Sequence, residues 1–221
     1  MKKQILLFAS VLMAGFAMAQ KSPSFGIRAG VTSAGMRGDA VNSLESLIDF
    51  TEGRITTANK TGFFGGGYVS IPVSESVSIE PGIGYTQKGY QMRGELGIKG
   101  VEFLGANAKA ALTTHYIEMP VLLKADVGGL QLFAGPQVSY LAKADLRTTA
   151  GVLGFNLLNR TMDATQQFNQ WDAAVTGGLG YQFENGFNIR ASYDHGLSRA
   201  DANKNLNAYN RAFKVGVGYS F

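Results

Sequence analysis

The 221-residue chain has no cysteine and only two histidines. Beyond residue 20 it also has no long apolar run. Without cysteine there is no disulfide and no thiol to carry a lipid anchor, a composition compatible with an exported protein that uses no cross-links. His115 and His195 stand on different segments at no metal-ligand spacing, and no Gly-x-Gly-x-x-Gly or phosphate loop follows a strand-like segment. No metal and no cofactor are therefore expected. No internal stretch reaches the ~18 apolar residues of a membrane helix. That excludes helical spans but not a β-barrel, whose strands are short and half polar. One-signed charge is lacking too: two of the twenty Lys and Arg are Lys2 and Lys3, leaving eighteen against sixteen acids, with no basic cluster. Nucleic acid is not an expected partner.

Lys2 and Lys3, the apolar run Ile5 to Phe16 and the small-x-small sequence Ala17-Met18-Ala19 read as a secretory signal peptide over 1–19. Residues 20–221 are then one exported domain. Glycine, 29 of 221 residues, is about twice the usual ~7%. Many glycines sit inside strand-like segments, where they weaken an ordinary sheet. In a narrow barrel they make room for larger inward side chains.

The clearest pattern is the last segment. Phe213, Val215, Val217, Tyr219 and Phe221 alternate with Lys214, Gly216, Gly218 and Ser220. Strict period-2 alternation gives one apolar and one small or polar face. Seven similar segments precede it, at 24–36, 61–73, 77–91, 113–125, 130–143, 171–183 and 187–199. In the second, adjacent Phe63 and Phe64 before Gly65-Gly66-Gly67 suggest a bulge. The connections alternate. Ser74-Glu75-Ser76, Asp126 to Gly129, and Glu184-Asn185-Gly186 are short, and the last two carry tight-hairpin chemistry. Those at 37–60, 92–112, 144–170 and 200–209 are long. Short turns on one side and long loops on the other are the habit of outer-membrane barrels. Aromatic residues near the segment ends fit interfacial girdles. The expected fold is all-β: an eight-stranded, antiparallel, up-and-down transmembrane barrel in the outer membrane.

With the apolar faces outward, Arg28, Glu80, Lys88, Glu118, Lys124, Arg190, Asp194 and Lys214 point inward. Glu80, Lys124, Arg190 and Arg28 lie near the short-turn end. Glu118, Asp194 and Lys214 lie deeper, and both layers mix signs. Eight strands enclose a space that side chains just fill, so an interior ion-pair network plugging the barrel is expected. Among the long connections, Ser43 to Phe50 has the pattern of a short amphipathic helix, and Val152 to Leu158 is apolar for a loop. Loops 37–60 and 144–170 are thus candidate contacts for a protein or surface ligand.

Two segments carry a family likeness. Ile79-Glu80-Pro81-Gly82-Ile83-Gly84-Tyr85-Thr86-Gln87-Lys88-Gly89 and Tyr116-Ile117-Glu118-Met119-Pro120-Val121-Leu122-Leu123-Lys124 resemble the third and fourth strands of the porin-like, PorT-type outer-membrane barrels of Bacteroidetes-like bacteria. The resemblance implies outer-membrane residence, a barrel fold and no assigned activity. It also implies that Phe213, Val215, Val217, Tyr219 and Phe221 form the signal read by the barrel-assembly machinery. The reading is a non-enzymatic barrel with outer-membrane lipid around it and a structural or interaction role, not a wide-channel porin. Two alternatives stay open. A rim enzyme acting on lipid or peptide would use His195, with Asp194, Ser192 and Ser198 nearby. A soluble lipocalin-like carrier of an apolar ligand would turn the apolar faces inward.

Overall fold

The computed structural model describes residues 22–38, 55–96, 106–152, 155–200 and 207–221. The expected signal peptide and the Ser43–Phe50 segment lie outside the described residues. The described residues form nine strands: β1 (Ser24–Arg37), β2 (Ile55–Pro72), β3 (Val77–Leu96), β4 (Ala106–Val127), β5 (Leu130–Val152), β6 (Phe155–Asp163), β7 (Trp171–Gln182), β8 (Phe187–Arg199) and β9 (Tyr209–Ser220). Their order round the wall is β1, β2, β3, β4, β5, β7, β8, β9 and back to β1, and every pairing is antiparallel. These eight strands close the barrel, so over their shared length each is paired on both sides. The ninth, β6, pairs with β5 alone.

Alternation decides the faces. In β1, Phe25, Ile27, Ala29 and Val31 are exposed while Gly26 and Thr32 are buried. The same split runs through β7, β8 and β9. Leu123 and Leu132 on the outer wall are each 58% exposed, whereas Glu80 and Asp194 inside are each 1% exposed. Apolar outside and charged inside is the reverse of a lipocalin-like carrier. Tyr181, Phe183, Phe187, Tyr219 and Phe221 gather at the short-turn end, with successive ring centroids 5.0 Å apart for Tyr181–Phe183 and 5.2 Å for Tyr219–Phe221. Tyr90 does not belong to a girdle, because its hydroxyl is buried.

The short turns follow the local chemistry. Gly128 and Gly129 at φ 60 and 87, and Gly186 at φ 88, occupy the left-handed region that tight hairpins need. The bulge in the second strand falls between Asn59 and Phe64 in its pairing with β3. The long connections differ from expectation. β2 begins at Ile55, inside the expected 37–60 loop, β3 and β4 run into the 92–112 loop, and β5 and β6 occupy most of 144–170. A bilayer needs only ~9–11 residues per strand, and β3, β4 and β5 have 20, 22 and 23. Their extra length lies in segments where the period-2 apolar signal disappears. There β6 covers the edge of β5 above Tyr140, where pairing with β7 stops.

Glycines clear the lumen for large side chains. Gly30 and Gly216 face each other across the β1–β9 seam, and the Phe64 ring lies over both. A Cβ on Gly30 would stand 2.2 Å from the Val215 carbonyl oxygen and 2.8 Å from the Phe64 ring. Gly26 yields space to Tyr68, Gly178 to Phe133, and Gly180 to Arg190. Gly30→Val is therefore expected to block closure, leaving no fast-migrating unboiled band in SDS gels. Gly177→Ala, whose added Cβ meets its nearest atom at 3.9 Å, is expected to keep that band.

Candidate functional site

Cross-strand partners share a face, so the register brings inward charges from distant segments to one level. Near the short-turn end the hub is Glu80 on β3. Arg190 of β8 donates Nη1 and Nη2 to its two oxygens at 2.7 and 2.9 Å. Arg28 of β1 donates Nη2 to Oε1, and Lys124 Nζ of β4 stands 3.3 Å from Oε2. The Arg28 guanidinium lies 4.0 Å from the centre of the Tyr68 ring, and Arg190 lies 5.1 Å from that of Phe133. Lys124 also donates to Ser70 Oγ at 3.1 Å. The two-pronged Arg190–Glu80 contact is the geometry that best offsets the cost of burying both charges.

The second layer centres on Glu118 and Asp194. Lys88 stands 2.8 Å from Glu118 Oε1, and Lys214 stands 2.5 Å from Oε2. Lys214 also reaches Asp194 Oδ2 at 2.7 Å, and Lys88 lies 3.9 Å from the same oxygen. Thr86 donates to Glu118 at 2.7 Å and Thr176 to Asp194 at 2.8 Å. The structure thus brings together all eight charged residues singled out in the sequence, four in each layer, with Lys88 in the second. A cavity of about 80 Å³ is lined by charges of both layers, Arg28, Arg190, Glu118 and Lys214, by Phe64, Leu122, Phe133 and glycines, and by Ile83 and Tyr85 of the outer wall.

Sequence reasoning missed a third tier. Asp172 is buried and accepts from Ser198 Oγ at 2.6 Å and from Asn210 Nδ2 at 3.1 Å. Asn210 lies 3.2 Å from the Tyr116 hydroxyl as well. Asp172 shares the even-numbered inward face with Ala174 and Thr176, so the alternation that placed Asp194 would have found it. Beyond this tier, Tyr116, Leu141, Ala144 and Ala164 form a small apolar core backed by Phe168. Ala164 and Phe168 flank the 3₁₀ turn Thr165–Gln167. Part of the expected 144–170 loop therefore packs against β4 and β5 at the outer end of the lumen.

His195 lies on β8. It is exposed on the outer wall while Asp194 points inward. Its Nε2 lies 2.9 Å from Arg37 Nη2, a cation, and Ser198 serves Asp172. Among the described residues no serine hydroxyl is hydrogen-bonded to His195, and no group of three His, Cys, Asp or Glu side chains is placed to hold a metal ion. The other histidine, His115, takes the Tyr85 hydroxyl at Nδ1, 2.5 Å away, on the outer wall. Phe213, Val215, Val217, Tyr219 and Phe221 are all exposed on the outer face of β9 and beyond it.

The model of the outer membrane protein beta-barrel domain matches residues 18–201. No curated protein matches the chain. Among solved structures, it is similar to Neisserial surface protein A, with 12% identity, a TM-score of 0.49, and coverage of 91% of this chain and 100% of that one. Ail, the attachment invasion locus protein of Yersinia pestis, gives 12% identity, a TM-score of 0.43 and the same coverage. OprG of Pseudomonas aeruginosa gives 15% identity, a TM-score of 0.36, and covers 91% of this chain and 97% of that one. With well over half of its length matched by the family model, the chain belongs to the outer membrane protein beta-barrel domain family and resides in the outer membrane.

Proposed function

We propose that this protein is a plugged, non-conducting and non-enzymatic barrel that acts through its external wall, in envelope integrity, surface binding or support of a larger complex. The observation that carries the reading is the pair of charge layers across the lumen. Glu80 gathers cations from three other strands, and Glu118 and Asp194 gather two more. Eight strands give a lumen that side chains fill, not an aqueous channel. The tall side of the wall, β3 to β6, supplies the surface for contact. Leu158 and Met162 on β6 are 46% and 45% exposed, and the partner regions are 37–60 and 144–170. Outer-membrane lipid surrounds the spanning half. The signal peptide over 1–19 directs export and is cleaved off, and the outward residues Phe213, Val215, Val217, Tyr219 and Phe221 serve the barrel-assembly machinery. The motifs around Glu80 and Glu118 favour a place in the PorT-type branch.

Planar bilayers test the plug. The wild-type chain is expected to give no stable conductance steps, and wide, persistent steps would sink the reading. Glu118→Ala leaves Lys88 and Lys214 buried with only Asp194 to share. It is expected to cost about 3–5 kcal/mol, seen as a lower temperature at which the folded band gives way to the unfolded one. Glu118→Gln, which keeps hydrogen-bonding atoms but not the charge, is expected to lose part of that. An unchanged transition in Glu118→Ala would leave the network with no structural role. Replacing 146–162 by a short Gly-Ser turn is expected to abolish surface binding or complex formation while the heat-shifted band remains.

A further inference from the structure

We infer that the outer face of the tall side of the wall, where Lys60, Lys109 and Arg147 meet, binds the phosphate of an outer-leaflet lipid headgroup. The first ground is register. Gly89 of β3 pairs with Thr113 of β4, Gln91 with Ala111, and Arg93 with Lys109. Across the next seam Thr113 pairs with Asp145 of β5, Ala111 with Arg147, and Lys109 with Thr149. Partners share a face, so Lys109, Arg147, Asp145 and Gly89 stand on one face. Tyr85, four residues before Gly89, shares it, and its ring lies 5.5 Å from that of Phe63, exposed on the outer wall. Lys60 joins from β2. Its stem lies over Gly89, where a Cβ would stand 2.7 Å from Lys60 Cδ. Cations from three strands thus occupy one outward patch.

The second ground is that these charges are unspent. The carboxylates of the patch have partners of their own: Lys143 and His115 stand 2.9 and 3.6 Å from the two oxygens of Asp145, and Asp163 accepts from Thr165 N at 2.8 Å. Among the described residues no carboxylate pairs with Lys60, Lys109 or Arg147. With Lys143, Asp145 and Asp163 counted, four cations face two carboxylates. Register adds one residue of each sign, Arg93 opposite Lys109 and Glu95 opposite Asn107, and leaves that excess unchanged. Arg147 donates Nε to Asn159 at 3.0 Å, which leaves its terminal nitrogens for a ligand. Partial burial and the charges of Lys109 and Arg147 hold the Lys60 ammonium below the usual lysine range. An anion among the three removes that repulsion.

The third ground is position. A spanning strand needs ~9–11 residues. Counted from the short-turn ends of their strands, Lys60 is the thirteenth residue of β2, Arg147 the eighteenth of β5 and Lys109 the nineteenth of β4. The patch therefore lies past the apolar wall, on the side that faces lipid below. Lipids packed against Phe63 and Tyr85 bring their headgroups to it. Gly89 lies about 13 Å along the strand beyond Tyr85, a reach that suits a phosphate carried on a sugar headgroup. Continuity with the lipid-facing wall selects a lipid over a soluble acid. The inference gives a ligand class to the surface binding proposed above and rests on the outer wall being the working surface.

The test uses the exported full-length chain refolded in zwitterionic detergent micelles, with bound lipid counted by native mass spectrometry. Diphosphoryl lipid A, its dephosphorylated form and inorganic phosphate are titrated in turn. The diphosphoryl lipid is expected to bind saturably, and the dephosphorylated form about tenfold more weakly or worse. Lys60→Gln, Lys109→Gln and Arg147→Gln together are expected to weaken binding about fivefold per charge, about a hundredfold in all. Arg211→Gln, which removes an exposed cation from β9, is expected to bind as the wild type does. The heat-shifted band certifies the fold of each variant. Equal binding of the two lipid forms by the wild type would overturn the site, as would undiminished binding by the triple variant. Inorganic phosphate binding as tightly as the lipid would overturn the assignment to a headgroup. Conductance decides the plug independently, so a failure here leaves that reading standing.

Discussion

The structure depends on burying charge in a closed space too narrow to be solvated as bulk water would solvate it. Inside such a barrel a carboxylate is tolerable only when cations from other strands surround it. Glu80 meets that demand with Arg28, Lys124 and Arg190, which come from β1, β4 and β8. Arg190 is 110 residues away in the chain. The contact therefore ties opposite walls together, which backbone pairing between neighbouring strands cannot do. The glycine content follows from the same demand. Long cationic and aromatic side chains reach across the lumen only where the facing strand presents none. Gly180 opposite Arg190, and Gly30 and Gly216 beneath Phe64, are such places. Glycine weakens a strand taken alone, but here closure holds the strands and the vacant Cβ positions hold the core.

The spanning half of the fold was legible in the sequence because lipid and lumen impose opposite chemistries on alternate residues. In β1, Phe25, Ile27 and Val31 against Arg28 and Thr32 leave one workable orientation, and the strand came within a residue of its expected bounds. The same parity brought Arg28, Glu80, Lys124 and Arg190 to one level from four separate segments. It applied equally to Asp172, which escaped notice by lying one residue inside the start of β7, where the apolar pattern had barely begun. Charge balance was not legible. Parity says which side chains enter the lumen, but only the register says which of them meet.

Legibility failed beyond the bilayer. From Leu146 to Ala150 of β5 and along β6, the side-chain chemistry does not repeat with period 2. β6 shows this directly, since Leu158 through Asp163 are all exposed. What makes it a strand is not its own pattern but the unpaired edge of β5 above Tyr140, which offers hydrogen bonds to any extended segment nearby. That cause is tertiary, and no local reading of Phe155 to Asp163 contains it.

The two halves answer to different constraints, and this bears on where a function can reside. Changes inside the spanning half must keep both the ion pairs and the vacant glycine positions, so few substitutions are neutral there. On the outer wall below the rim, only apolarity is required. The far halves of β4 and β5 carry a smaller burden, an apolar core of Tyr116, Leu141 and Ala144 with Leu112 and Leu146 packed against it, while the described part of β6, Leu158 to Asp163, is exposed. The rim histidine His195 is bonded to Arg37, and the lumen is occupied by the two charge layers. The asymmetry between strands of about twelve residues in β7 and β9 and more than twenty in β4 and β5 follows no membrane requirement.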